Sequence, residues 1–261
     1  MTLVNSYDEI SELIEKQFCR SMVCNSAPSG DMLRAEIEEQ LLYYHLWDGG
    51  LCIIRRRKTH DILTFYIKDM TVPFDFDTDR DTVVEILQKP KTDATPIIEY
   101  WKRLGFCEIL QRLRLTKPKS EEKPGLGSVS FAKIGDKEKI AKLFSCNFNI
   151  LTGCLPTDTA LEKSIKNSEM ICEYSNAGLV GALHFTESKL HAEIRHLCVD
   201  EHARRKGAAT KLTNNFFAAT QGKKAVVWTG SENKGAISFY KSCGFEPDNY
   251  KSFILLYKKG Q

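Results

Sequence analysis

The residues best suited to chemistry lie in one stretch, Val199-Asp200-Glu201-His202-Ala203-Arg204-Arg205-Lys206-Gly207-Ala208-Ala209-Thr210. An apolar strand ends there, three basic residues follow, then a glycine and two alanines, and an amphipathic pattern begins. Backbone N–H groups at a helix start carry partial positive charge and meet an anion well. Gly207, Ala208 and Ala209 leave room for a phosphate to approach, and the basic turn adds a local positive field. A basic triplet by itself is more often a solvated surface. The strand before it and the helix after it give this one the design of an anion site.

The elements that must position this turn fall into two halves. Thr116-Lys117-Pro118-Lys119-Ser120-Glu121-Glu122-Lys123-Pro124-Gly125-Leu126-Gly127 combines prolines, glycines and alternating charge without apolar periodicity, so the boundary is expected there. The expected domains are residues 1–117 and 128–261, joined by a linker over 118–127. In the first half Ile10, Leu13, Ile14 and Phe18 recur at helix spacing, as do Leu33, Ile37, Leu41 and Tyr44. Leu51-Cys52-Ile53-Ile54 and Ile62 to Ile67 read as strands joined across Arg55 to His60.

The second half opens with a short strand, Val129-Ser130-Phe131, a helix carrying Ile140, Leu143 and Phe144, and another around Leu161 and Ile165. A strand meander over Met170–Tyr174, Gly178–Phe185 and Leu190–Val199 leads into the basic turn. A helix from about Ala208 to Thr220, the strand Ala225–Trp228, a helix from Asn233 to Ser242 and a last strand over Phe253–Tyr257 follow.

The halves also match each other. Ile98-Glu99-Tyr100-Trp101-Lys102-Arg103-Leu104-Gly105-Phe106 lines up with Ile237-Ser238-Phe239-Tyr240-Lys241-Ser242-Cys243-Gly244-Phe245, as expected where a helix closes on a glycine before a strand. Gly50-Leu51 and Gly178-Leu179 also correspond. The distance on to Gly-Phe is 55 residues in the first half and 66 in the second, so the segment holding the basic turn is longer by about 11.

The run Arg204 to Ala209 resembles the arginine/glutamine-x-x-glycine-x-glycine/alanine signature of the GNAT superfamily of acetyl-CoA-dependent N-acyltransferases. The resemblance covers roughly residues 128 to 258 and, more weakly, the first half. Leu197-Cys198-Val199 before the turn, Asn233 at the next helix start and the closing Phe239 to Phe245 fall in the family's order. It implies an α/β fold of two tandem GNAT-like acyl-CoA N-acyltransferase domains, each a mixed, mostly antiparallel sheet flanked by helices.

It also implies transfer of an acetyl or short acyl group from acetyl-CoA to an amine by direct attack on the thioester. In the strand Leu197-Cys198-Val199, backbone groups of Leu197 and Val199 would hold the pantetheine arm and acyl carbonyl. Arg204 would help anchor the cofactor, amides of Arg205, Lys206, Gly207, Ala208, Ala209 and Thr210 would cradle the pyrophosphate, and Asn233 would contact the pantetheine. Tyr240 matches the tyrosine that protonates the departing thiolate. Glu193 stands where some members carry a general base, with Asp200 and ordered water as rivals. A CoA-binding module without catalysis, or a purely structural tandem protein, are the competing readings.

The first half departs from all of these features. Asp69 to Asp79 is acidic and lacks glycine, Trp101 stands for Tyr240 and Ala94 for Asn233. A degenerate domain that keeps the fold without the cofactor is expected.

Bland readings compete with several of these assignments. Tyr240 suits a core aromatic position, Glu193 a surface pair with Arg195 on the same strand face, and Cys198 a packed thiol. Arg55-Arg56-Arg57-Lys58 lacks interleaved aromatics and reads as a hairpin turn in water.

Composition narrows the remaining classes. A net charge of +3, from 37 basic and 34 acidic residues, gives no general attraction to nucleic acid or membrane. No stretch suits a membrane helix or a secretion signal, and a cytoplasmic location is expected. Nine cysteines without Cys-x-x-Cys spacing read as reduced thiols. His184, His191, His196 and His202 crowd one region without a metal-site spacing, so no metal is expected. The acceptor amine is not legible, and the oligomeric state stays open, a homodimer being one option.

Overall fold

A computed structural model describes residues 1–26, 28–119, 129–176 and 178–260. It forms two compact units, Met1–Gln111 with the segment from Lys251 on, and Arg112–Tyr250. The expected linker 118–127 lies outside the described residues from residue 120 onward.

Unit 1 runs β1 (Thr2–Leu3), α1 (Tyr7–Glu15), β2 (Val23–Cys24), α2 (Gly30–Glu38), β3 (Leu42–Trp47), β4 (Gly50–Arg56), β5 (Asp61–Ile67), β6 (Thr82–Gln88) and α3 (Thr95–Arg103), then enters β7 (Cys107–Lys117). Unit 2 contains α4 (Lys137–Asn147), α5 (Asp158–Lys166), β8 (Met170–Ser175), β9 (Gly178–Glu187), β10 (His191–Val199), α6 (Ala208–Ala219), β11 (Lys224–Gly230) and α7 (Lys234–Ser242), then enters β12 (Glu246–Tyr257). Strand order is β1-β3-β4-β5-β6-β12 in unit 1, with β2 on β5, and β7-β11-β10-β9-β8 in unit 2. In each unit one pair is parallel, β5 with β6 and β10 with β11, and the other registered pairs are antiparallel.

Helix starts are written locally. Ser6, Ser29, Thr157 and Asn233 each accept a hydrogen bond from a first-turn amide of the helix that follows. Helix ends are matched as well. Phe106 donates from its amide to Trp101 C=O and Phe245 to Tyr240 C=O, across left-handed Gly105 and Gly244. The internal match read from sequence is thus a shared helix end.

The domain ends differ from the division at 118–127. Residues 112–117 of β7 pair with β11 in unit 2, and residues 251–257 of β12 pair with β6 in unit 1. Each half hands the end of its final strand to the other unit. Composition marks linkers but carries no trace of such an exchange, because either strand would read alike beside either partner. In unit 1 Leu255 is fully buried among Phe65, Val84, Ile86 and Trp101. In unit 2 Arg114 grips Asp248 through two guanidinium nitrogens and lies 3.5 Å from the Tyr250 ring centroid.

Other element boundaries are corrected too. The second helix stops at Glu38, so Leu41 lies beyond it and Tyr44 is on β3. Phe18 lies beyond α1 and is exposed. Val129-Ser130-Phe131 forms no regular strand; Phe131 makes a single bridge to Ile171. Strands β3 and β6 carry apolar residues on both faces or aromatic ones, which no simple alternation reveals. Among the described residues no helix is long and apolar enough to cross a membrane.

Truncating Leu255 to alanine should lower stability by about 3 kcal/mol through the cavity it leaves. Amide exchange should accelerate first in residues 83–87 of β6. Peptide-resolved exchange that instead accelerates in β11, with β6 unchanged, would contradict the assignment of this strand end to unit 1.

Candidate active site

Strand β10 organises the site. It pairs with β11 from His191↔Lys224 to Ile194↔Val227, and the registered pairs go no further. On its other side it stays bonded to β9 as far as Val199↔Gly181, with a register shift between Ile194 and His196. The shift resets the alternation of side chains. Ala192, Ile194, Leu197 and Val199 face the core shared with α6 and α7, while His196 and Cys198 face α4 and α5. Past Ile194 and Val227 the two strands part, which leaves an opening between their ends.

The basic turn stands at the end of β10. Arg205 has φ +60° and Gly207 φ +83°, a pair of left-handed residues that bends the chain into the start of α6. A Cβ at Gly207 would meet nothing within 4 Å, so this residue is needed for its backbone angle and faces open space. The first bond within α6 runs from Lys211 N–H to Gly207 C=O, which leaves the amides of Ala208, Ala209 and Thr210 ahead of the helical ladder. The helix itself is anchored by Ala208, Leu212 and Phe216, spaced four apart and buried.

The basic side chains divide their work. Arg204 donates from Nε to Val199 C=O at 3.1 Å and from Nη2 to Asn147 Oδ1 at 2.8 Å, tying the turn to β10 and α4. Lys206 Nζ donates to His202 C=O at 3.0 Å. Arg205 is exposed. An open pocket of about 590 Å³ beside the turn is lined by Lys139, Lys142, Asn147, Leu179, Asp200 and Arg204.

The other expected residues lie on β10, at the turn that follows it, and on α7 with its cap. Tyr240 is buried against Phe239 and Phe245 on the α6–α7 face, and burial raises its phenol so that the proton is retained through the neutral range. Asn233 Oδ1 caps α7 by accepting from Ala236 N–H at 3.0 Å, leaving its NH₂ group as the available donor. Cys198 is buried, and burial pushes its thiol up to about 12, which suits a packed side chain and not a nucleophile. Glu193, between Ala192 and Ile194, is on the α4–α5 face, where Arg195 Nη1 donates to its Oε1 at 2.6 Å. Asp200 Oδ1 accepts from His202 N–H at 3.0 Å, so that rival base is engaged in the turn.

Sequence reasoning missed a buried relay on the same face. His184 on β9 and His196 on β10 are registered partners whose rings stack with an interplanar angle of 7° and Nδ1···Nδ1 3.1 Å. His196 Nε2 lies 2.8 Å from Gly153 C=O, an acceptor, so it carries the proton. The neutral ring then accepts at Nδ1, His184 must donate from its own Nδ1, and Ser164 Oγ donates to His184 Nε2 at 3.2 Å. Both rings are held well below the ordinary histidine value, chiefly by burial, with Arg195 adding repulsion. The spacing of the four clustered histidines speaks only to metal; the sequence signal for this role is His184 standing between the apolar Leu183 and Phe185 in a strand-like run. Among the described residues no metal-holding group of His, Cys, Asp or Glu occurs.

Unit 1 treats the corresponding region differently. Between β5 and β6 lies a loop without a helix, whereas α6, 12 residues long, fills that connection in unit 2. That helix accounts for the length difference between the halves. From the loop, Phe74 and Phe76 pack edge-on against Trp101, at 6.4 and 6.5 Å between centroids, and Trp101 is fully buried. Ala94, at the cap position Asn233 takes in unit 2, makes no side-chain cap.

The chain has the fold of GNAT proteins over nearly all its length. A GCN5-related N-acetyltransferase from Sphaerobacter thermophilus has 9% identity and TM-score 0.57, over 92% of this chain and 96% of that one. A tandem GNAT protein from the clavulanic acid biosynthesis pathway has 10% identity and TM-score 0.56, over 91% and 90%. At the sequence level residues 166–247 match the model of the acetyltransferase (GNAT) domain. An uncharacterized N-acetyltransferase of Methanocaldococcus jannaschii is 44% identical over 63 residues, which are 23% of this chain and 28% of that protein. This chain therefore carries a GNAT acetyltransferase domain in unit 2, within a tandem GNAT-like fold.

The histidine relay makes stability depend on acid. Both rings are neutral in the fold, whereas the unfolded chain takes up protons near the ordinary value of 6.5. The unfolded state therefore binds more protons below that pH, and stability should be full above about 6.5 and fall steadily on acidification. Urea unfolding between pH 7 and 4.5 measures this. Imidazole NMR signals should keep neutral shifts for both residues at pH 5.5 in the folded protein; a charged His196 there would refute the relay.

Proposed function

We propose that unit 2 transfers an acetyl group, or a related short acyl group, from acetyl-CoA to an amine. The observation that carries this reading is the opening between β10 and β11 beside a helix start with unladdered amides at the end of β10. The amides from Arg205 to Thr210 would receive the donor's pyrophosphate, with Gly207 leaving the approach clear. Backbone groups of Leu197 and Val199, on the edge released from β11, would take up the pantetheine arm and the acyl carbonyl. The NH₂ of Asn233 would donate to the same arm.

Donor and acceptor would then meet through the opening from opposite faces of the sheet. Tyr240 is on the face with α6, and Glu193 on the face with α4 and α5. The neutral amine attacks the thioester carbonyl, a C–N bond forms, the C–S bond breaks, and Tyr240 gives its proton to the departing thiolate. Glu193, oriented by Arg195, takes the amine proton directly or through water. Unit 1, with Phe74, Phe76 and Trp101 packed together and no helix after β5, serves as a scaffold without a donor site of its own.

Calorimetric titration with acetyl-CoA and thiol release over a panel of amines test this reading. Tyr240→Phe should lower kcat at least about 100-fold while changing acetyl-CoA affinity less than about twofold. Full turnover in that variant would remove the acid role, and binding without turnover on any amine would favour a CoA sensor. Gly207→Val, forced to φ +83°, should weaken acetyl-CoA binding by roughly tenfold or more.

A further inference from the structure

The α4–α5 connection is fastened to the sheet on both sides of the opening. From β10, His196 Nε2 donates to Gly153 C=O, backed by His184 and Ser164. From β7, Arg112 Nη2 donates to Thr152 C=O. Arg112 is registered opposite Gly230 at the end of β11, so the two fastening strands flank β11 where it has left β10. The connection is also shaped from within. Asn149 Oδ1 accepts from Leu151 N–H, Asn149 C=O accepts from Gly153 N–H at 2.7 Å, and Cys154 is left-handed at φ +49°. Phe148 at its start packs edge-on to His196.

Two successive carbonyls held from two strands that straddle a third leave this segment little choice of position. It must cross the α4–α5 face over the end of β11, the face that Glu193 shares. We infer that Arg112 and His196 are positioning residues that clamp residues 149–154 as one wall of the acceptor pocket, so that they set how well the amine is held without touching the donor. This rests on the acyl-transfer reading for its kinetic consequence, but the clamp itself does not.

The test compares His196→Ala and Arg112→Ala with the conservative His196→Gln and Arg112→Lys, each of which keeps an N–H donor within reach of its carbonyl. Amide exchange over residues 149–154 should accelerate in both alanine variants and recover in the conservative ones, whatever the activity. With the best amine found in the panel, the alanine variants should raise the acceptor KM about tenfold or more, as expected on losing a hydrogen bond from a strong donor to a backbone carbonyl. Acetyl-CoA affinity by calorimetry should change less than about twofold. Because His196→Ala also strips His184 of its acceptor, Arg112→Ala keeps the test independent of that buried pair.

Unchanged loop exchange in both alanine variants overturns the clamp. Faster loop exchange with equal losses of acceptor and donor binding reduces it to general support of the fold and overturns the positioning role. If no amine turns over while loop exchange behaves as stated, acyl transfer fails and the clamp stands.

Discussion

The structure of unit 2 depends on one constraint: a parallel strand pair that must hold together at one end and stay apart at the other. β10 and β11 are bonded over four registered positions, and the irregularity around Arg195 lets β10 keep its bonds to β9 while turning different side chains to each face. Once the pair parts, backbone groups on the released edge need a partner from outside the sheet. The helix start at Gly207 is fixed by its strand to lie beside that edge. Arg204 acts as a strut between turn, strand and α4.

Unit 1 shows the same scaffold with aromatic side chains packed together where unit 2 carries α6. Its parallel pair, β5 with β6, is registered over only three positions, and a loop without a helix follows β5. Aromatic side chains from that loop and from α3 pack against one another there, with Phe65 and Phe106 alongside. Burying such rings stabilises the unit without a ligand. Strand order and the left-handed helix end survive, while the side-chain cap that Asn233 gives α7 has no counterpart at Ala94.

Much of this was legible in the residues. The basic turn, the helix start at Ala208 and the matching Gly-Phe helix ends are local features written by glycine angles and apolar spacing, and they lie where the sequence put them. The surplus of about 11 residues pointed to the right segment, and α6 proved to be its content. What failed to show was non-local. Whether the end of β12 lies on β6 depends on contacts far apart in sequence, and so does the meeting of His184, His196 and Gly153. The bulge at Arg195 likewise decides which face Glu193 shares, and no composition rule locates it.

The exchange of strand ends also orders events in time. Residues 251–257, which complete the sheet of unit 1, leave the ribosome only after every residue of unit 2. At about 5–20 residues per second, β6 waits on the order of ten seconds with Val83, Val84 and Ile86 along an unpaired edge. Such an edge invites pairing with other chains. Until residues 251–257 arrive, the nascent first half carries that open edge, directly after a loop rich in aspartate.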